Sequence, residues 1–210
     1  MKLQSLRPLV VAAAALALLP AAALAQVVDF AQLDVSSDAS TLVLVRALPR
    51  STTAAPAPLL SATATRWSSG EAVALGYVYR WALVDGAQQW VLGAGAGANT
   101  FRSRAVGGAS HESALSARVQ VEGSGPAPGG SYYALAQASS FRNAWFGLLQ
   151  YSPSGWPLTV EWSRYHEDTY QATGVGVRVA IGVPNWFVRV GATRADGRTR
   201  PFVGVAYNGF

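Results

Sequence analysis

Short runs of alternating side chains recur through the chain after residue 26 and constrain its fold more than any other feature. A period of two residues is that of a β-strand, whose successive side chains lie on opposite faces. Turn-forming Gly, Pro, Asn and Asp residues separate the runs, and no segment of helical period follows residue 26. The sequence predicts an all-β protein of about twelve strands, with ten as the alternative: Val27–Val35, Thr41–Ala47, Leu59–Trp67, Glu71–Leu83, Ala87–Ala98, Ser113–Glu122, Ser131–Ser139, Asn143–Tyr151, Pro157–Tyr165, Thr169–Val183, Asn185–Thr193 and Arg200–Phe210.

The first 25 residues have the order of an export signal. Lys2 and Arg7 precede the apolar run Leu9–Leu19, which is followed by the small residues Ala23–Ala25. A charged region, a short apolar region and an A-x-A-like site are typical of a secretory signal peptide. The apolar run is shorter than the roughly 20 residues of a spanning helix, which argues against a membrane anchor. We therefore expect residues 1–25 to be a cleaved signal peptide and residues 26–210 to form the barrel domain described below.

The composition is unlike that of an ordinary soluble domain. Hydrophobic residues make up 50% of the chain and charged residues 13%, against about 25% charged in typical soluble domains. After residue 25 the chain has no lysine, and 14 arginines face 11 acidic residues. This excess is too small and scattered for nucleic-acid binding. The absence of cysteine excludes a disulfide scaffold, a thiolate zinc site and a cysteine nucleophile.

The two faces of the predicted strands differ in a way that indicates a membrane barrel. In Glu71–Leu83 one face carries large apolar side chains from Val73 to Leu83, and the other carries small residues and Arg80. Thr169–Val183 shows the same contrast, with Arg178 on the face of small residues. A soluble barrel would require a charged exterior, whereas large apolar groups suit lipid and small ones a lumen. Because strands cross a bilayer only in closed barrels, the sequence predicts an antiparallel transmembrane β-barrel.

The last residue is Phe210, after the run Val205–Gly209. With its signal peptide and alternating strands, the chain resembles bacterial outer-membrane β-barrel proteins, whose last strand commonly ends in an aromatic residue that the insertion machinery recognises. The resemblance implies an outer-membrane location, with membrane lipids and that machinery as partners. Val203, Val205 and Tyr207 are out of phase with Phe210; a bulge at Asn208-Gly209 would reconcile them, and without one the register of the last strand stays open. We also expect the polar segment Asn99–Ser110 to be a long outward connection.

The polar phase of the strands predicts a charged lumen. Its expected lining residues are Arg46, Arg80, Arg118, Glu122, Glu161, Arg178 and Arg189. A ring of fixed positive charge would favour anions in a narrow channel or export port, whose transported solutes would be anions such as acidic saccharides. Alternatively, the arginines pair with Asp29, Glu122 and Glu161 and fill a sealed structural or adhesive barrel that presents its outward loops to partners.

A lipid-modifying hydrolase is the catalytic alternative. His111 and Ser113 are two residues apart, so on a strand they would share a face near the outer rim. A nucleophilic serine requires such a base and also a group that orients the base. The sequence does not place an orienting group, and neither histidine has further ligands at metal-binding spacing. We therefore expect no catalytic residue, no metal and no cofactor.

Deletion of Phe210 should block assembly into the outer membrane while export to the periplasm continues, because the signal peptide and the terminal aromatic serve different steps. Cell fractionation would measure this as periplasmic accumulation of the processed chain. Wild-type levels of the shortened protein in the outer membrane would contradict the prediction.

Overall fold

A computed structural model describes residues 28–49, 57–84, 86–105 and 108–210. These residues form one closed antiparallel barrel in which each strand pairs with its neighbours in sequence and β1 pairs with β12. The strands are β1 Phe30–Ser36, β2 Ala39–Ala47, β3 Leu59–Trp67, β4 Gly70–Val84, β5 Gln89–Ala105, β6 Gly108–Ala127, β7 Gly130–Ser139, β8 Ala144–Pro153, β9 Leu158–Glu167, β10 Tyr170–Ala180, β11 Trp186–Ala195 and β12 Arg198–Asn208. The prediction of a twelve-stranded barrel is confirmed, whereas the expected signal peptide lies outside the described residues.

One short helical turn, Phe141–Asn143, connects β7 to β8. Within the described ranges, no helix is long and apolar enough to cross a membrane.

The predicted long connection Asn99–Ser110 is wrong. β5 and β6 continue through this segment and pair from Gln89↔Ser124 to Ala105↔Gly108. A strand that extends past the membrane requires no apolar face, so a polar pattern there does not indicate a loop. Because β7 starts pairing with β6 only at Arg118↔Ser139, the β5–β6 hairpin projects beyond the β7–β8 hairpin.

The register of the strands determines the width of the barrel. If one starts at Val35 of β1 and steps from each residue to its Cα partner on the next strand, through β2, β3, β4 and β5, the path ends at His111 of β6. Stepping the other way around the barrel, from β12 to β7, ends at Gly125 of β6. The two end points are 14 residues apart, and this offset is the shear of the barrel. With usual strand spacings this shear corresponds to a tilt of about 40° and roughly 23 Å between opposite backbones. Side chains from both walls therefore leave a narrow lumen.

The two faces of the sheet are those expected from the sequence. One lateral row of Cα partners runs Leu44, Ala62, Leu75, Ala98 and Leu115 from β2 to β6. Leu75 is 54% exposed and Leu115 is 84% exposed, so this row lies on the outer surface. The alternate residues of the strands point into the lumen, where polar and charged side chains are buried. The predicted phases of the strands now defined as β4 and β10 are therefore confirmed.

The structure has no bulge at Asn208-Gly209. β12 pairs with β1 in regular register from Phe202 to Asn208. The sheet then ends, because the Gly209 amide donates to the Asp29 carbonyl at 2.7 Å outside the ladder. Phe210 lies beyond the strand and is 67% exposed, so its phase requires no bulge.

Leu75→Arg should lower the free energy of unfolding by about 2–4 kcal/mol, because it places a charge on the lipid side of the barrel. Thr63→Arg is the matched control, since Thr63 faces the lumen beside Ala74, the residue before Leu75. The control should lose much less stability. Urea titration of the reconstituted barrels would measure both values, and equal losses would mean that the assignment of the faces is wrong.

Candidate functional site in the barrel lumen

A cluster of buried charges lies on the wall formed by β9, β10, β11, β12 and β1. The Glu161 carboxylate is central: it accepts hydrogen bonds from Arg189 Nε at 3.0 Å and Nη2 at 2.6 Å. Arg178 Nη2 lies 2.7 Å from the other Glu161 oxygen. Arg189 Nη1 also pairs with Asp34. Glu161, Arg178 and Arg189 are each less than 9% exposed, so water screens these pairs little.

Aromatic rings position the two arginines of this cluster. The Arg178 guanidinium lies 5.9 Å from the Phe30 ring centroid and 5.6 Å from that of Phe187. The Arg189 guanidinium lies 5.4 Å from the Phe202 centroid. Cations within about 6 Å of a ring face are attracted by its quadrupole. The rings and the carboxylates together hold both arginines close to the wall.

A second cluster lies on the facing wall, where β4 is six strands from β10. Arg80 Nη2 donates to Glu122 Oε2 at 3.2 Å. Gln120 donates to the other Glu122 oxygen at 2.6 Å, and the Tyr133 hydroxyl donates to Oε2 at 3.3 Å. Glu122 is therefore saturated by local donors.

Gln150 brings the two clusters towards each other. Its amide donates to Glu161 at 2.7 Å, and its Cα partner on β7 is Tyr133. Tyr133 in turn contacts Glu122. A continuous polar belt therefore follows the lumen wall from β11 through β8 to β4.

Arg118 differs from the other lumenal arginines. Its Nη2 donates to Asn99 Oδ1 at 3.1 Å, and Asn99 donates to Ser116 Oγ at 2.8 Å. Arg118 is 7% exposed, and its Nε, like those of Arg80 and Arg178, has no hydrogen-bond partner. Among the described residues no carboxylate lies within 4.0 Å of its guanidinium. A Cβ at Gly76 or Gly97 would overlap this guanidinium, so the two glycines make room for it.

A third group lies at the end of the barrel that contains the β5–β6 and β7–β8 turns, opposite the start of β1 and the end of β12; we call this end the outer mouth. Arg142, in the β7–β8 connection, lies 3.1 Å from Glu112 of β6 and 3.2 Å from Glu167 of β9. Its guanidinium lies 4.1 Å from the Phe101 centroid. Burial lowers the pKa of Arg142, but Glu167 and Glu112 outweigh this effect, so the pKa is raised. The charged side chain therefore spans β6 to β9 across the shorter β7–β8 hairpin.

Six of the seven predicted lining residues face the lumen. The prediction that Arg46 also faces the lumen is wrong. Its Cα partner is Leu60 and it alternates with Val45, whose partner Phe30 faces inward. Arg46 is therefore on the outer face, with its side chain 42% exposed and 3.9 Å from Asp29. In β2 both faces carry apolar side chains, so the alternation of polar and apolar residues does not show which face of this strand points into the lumen.

Four charged residues of these groups were absent from the predicted set: Asp34, Glu112, Arg142 and Glu167. Asp34 belongs to the Glu161 cluster, and the alternation of Gln32 and Asp34 with Ala31 and Leu33 is a signal that could have placed it inward. Arg142 has no comparable signal, because its partners come from strands distant in sequence.

His111 and Ser113 share the outer face near the rim, as predicted. His111 Nε2 lies 3.4 Å from Ser113 Oγ, and Thr100 Oγ1 lies 3.3 Å from the same nitrogen and 2.8 Å from Ser113 Oγ. In the described part of the chain, the second ring nitrogen of His111 has no hydrogen-bond partner. No group of three or more His, Asp or Glu side chains there is arranged to hold a metal. The geometry thus provides a serine and a base without an orienting group.

The architecture is that of bacterial outer-membrane β-barrels, as the resemblance implied. The fold is similar to the KdgM porin, with a TM-score of 0.53 and 13% identity over 85% of this chain and 97% of KdgM. A structure of the KdgM porin in complex with disordered oligogalacturonate gives 0.52 with the same identity and coverage. The NanC porin gives 0.51, with 12% identity over 85% of this chain and 98% of NanC. No protein-family model and no curated protein sequence matches the chain.

Glu161→Gln should lower the free energy of unfolding by about 3–5 kcal/mol, because it leaves two buried arginines without their shared carboxylate. The control is Glu71→Gln: its side chain is 48% exposed and lies 3.5 Å from Arg102. An exposed pair of this kind contributes at most about 1 kcal/mol. Urea unfolding in detergent would compare the two variants, and similar small losses would contradict the role of Glu161.

Proposed function

We propose that the chain is a narrow channel of the bacterial outer membrane that passes anionic solutes, acidic saccharides among them. The proposal includes no covalent chemistry. Membrane lipids and the barrel-insertion machinery are its proposed partners, and Phe210 its assembly signal.

The unpaired charge of Arg118 carries the proposal. The central lumen contains four arginines, Arg80, Arg118, Arg178 and Arg189, and three carboxylates, Asp34, Glu122 and Glu161. The carboxylates pair with the other three arginines, so the excess positive charge is located at Arg118. A wall of low dielectric concentrates the field of such a charge in a narrow lumen. The Debye length of about 8 Å at physiological salt spans much of that lumen. Anions are therefore favoured over cations at this level.

The bound saccharide of a structurally similar porin supports the choice of solute. The KdgM complex contains oligogalacturonate, a chain of sugar acids. Carboxylates spaced along such a chain suit a guanidinium whose charge no protein carboxylate neutralises, which among the four central arginines is Arg118. The other three arginines already pair with carboxylates of the lumen wall. In this proposal Arg118 provides the electrostatic preference, and the polar belt lines the lumen at the level of the two clusters.

A sealed structural barrel is the second candidate, since it follows from the same ion pairs. Glu161, Glu122 and Asp34 neutralise three of the four central arginines, and Arg142 pairs with two carboxylates at the outer mouth. A lumen filled by such pairs would be rigid and would not conduct. The hydrolase alternative is less well supported, because His111 lacks an orienting group among the described residues.

Arg118→Gln should remove the anion preference and keep most of the conductance, because glutamine retains polar bulk without charge. The measurement is the reversal potential in a planar bilayer under a salt gradient. Arg46→Gln is the matched control, since it removes one arginine charge from the outer face of the barrel. It should leave the reversal potential unchanged. A wild-type protein that inserts but never conducts would favour the sealed barrel.

A further inference from the structure

A row of polar and basic residues crosses the outer face of the barrel near its outward end. Successive Cα partners from β2 to β6 are Ser40, Arg66, Glu71, Arg102 and His111. All lie on the outer face, because they alternate with lumenal residues such as Thr65 and Phe101. We call Arg66, Arg102 and His111 the basic row.

The basic row is positively charged and accessible. Arg66 and Arg102 are exposed. Arg102 lies 3.5 Å from Glu71, but these side chains are 62% and 48% exposed, so the pair is weak and leaves both groups available. No carboxylate lies within 4.0 Å of Arg66 among the described residues. Directly below, the hydroxyls of Thr100 and Ser113 lie 2.8 Å apart and add neutral donors.

An apolar groove lies beneath the basic row, on the same five strands. Its volume is about 520 Å³, and its lining includes Leu44, Leu60, Ala62, Leu75, Ala98 and Leu115. Ala62 separates Leu44 from Leu75, and Ala98 separates Leu75 from Leu115. Small residues between large ones produce a depression between ridges. The groove opens outwards, since Leu60 and Leu75 are 43% and 54% exposed.

We infer that this surface binds one phosphorylated lipid of the outer leaflet, a lipid A-type glycolipid. Its phosphates would contact the basic row, and an acyl chain would lie in the groove. The order of the two parts supports this orientation, because the charges lie towards the outward turns and the apolar groove towards the middle of the wall. Guanidinium groups bind phosphate through paired donors, and hydroxyls complete the headgroup contacts. The inference rests on the membrane location in the proposed function and is independent of conduction.

Native mass spectrometry of the folded barrel in neutral detergent tests the headgroup contacts, with added lipid A and with phosphatidylcholine as the zwitterionic comparison. The wild type should retain one lipid A and little phosphatidylcholine. The double variant R66Q/R102Q should bind lipid A at least about tenfold more weakly, since each basic group near a membrane surface contributes about a factor of five. The matched control is R164Q/R194Q, because Arg164 and Arg194 are also exposed on the outer face, on β9 and β11. It should retain wild-type binding.

A second pair of variants tests the groove without changing the charge. Ala98→Leu fills the depression and should weaken lipid A binding severalfold. Ala136→Leu is the control, since Ala136 is exposed on the outer face of β7, outside the groove. Heat-modifiable migration on gels verifies that every variant is folded.

The inference is overturned if both arginine pairs weaken binding equally, if R66Q/R102Q binds as the wild type does, or if phosphatidylcholine binds as tightly as lipid A. Equal effects of the two leucine substitutions would also overturn it. Conductance of R66Q/R102Q should be unchanged. A barrel that binds lipid A specifically but does not conduct would contradict only the proposed channel, so the two failures are distinguishable.

Discussion

The pairing of β1 with β12 is the interaction on which the rest of this structure depends. Within a bilayer, an unpaired strand edge would leave a row of backbone N–H and C=O groups without partners, at a cost of several kcal/mol each. Closure removes that edge and commits every strand to one lumenal and one outer face. The shear of 14 residues then determines the tilt of the strands, and with it the side chains that meet across the lumen.

Closure also explains why the lumen is built from matched charges. Arginines directed inward lose much of their hydration, so most require a carboxylate or an aromatic face nearby. Glu161 forms ion pairs with two arginines from adjacent strands, and Glu122 forms an ion pair with Arg80 across an intervening strand. Arg118 is the exception, and neutral polar groups hold it in place. A local departure from charge balance of this kind is a common property of functional sites.

The fold was largely predictable from the sequence, because unlike faces make the strand phase readable. In β10, Val175 and Val177 on one side contrast with Gly176 and Arg178 on the other. In β2 both faces are apolar, and there the phase of Arg46 was predicted wrongly. The polar end of the β5–β6 hairpin was interpreted as a connection, because β-pairing outside a bilayer has no apolar pattern. Contacts such as those of Arg142 depend on which strands become neighbours in space, and no local pattern encodes them.

The space around Arg118 restricts the order in which this part of the lumen can change during evolution. A Cβ at Gly76 would overlap the Arg118 guanidinium and the Ser61 hydroxyl, both of which belong to side chains. If Arg118 is first replaced by a shorter side chain, Gly76 therefore becomes free to vary with a small shift of Ser61. Gly97 stays restricted, because a Cβ there would also lie 2.8 Å from the Leu75 carbonyl oxygen, which belongs to the backbone. Once Gly76 has acquired a side chain, the guanidinium no longer has its present place, so loss of the unpaired charge is easier than its recovery.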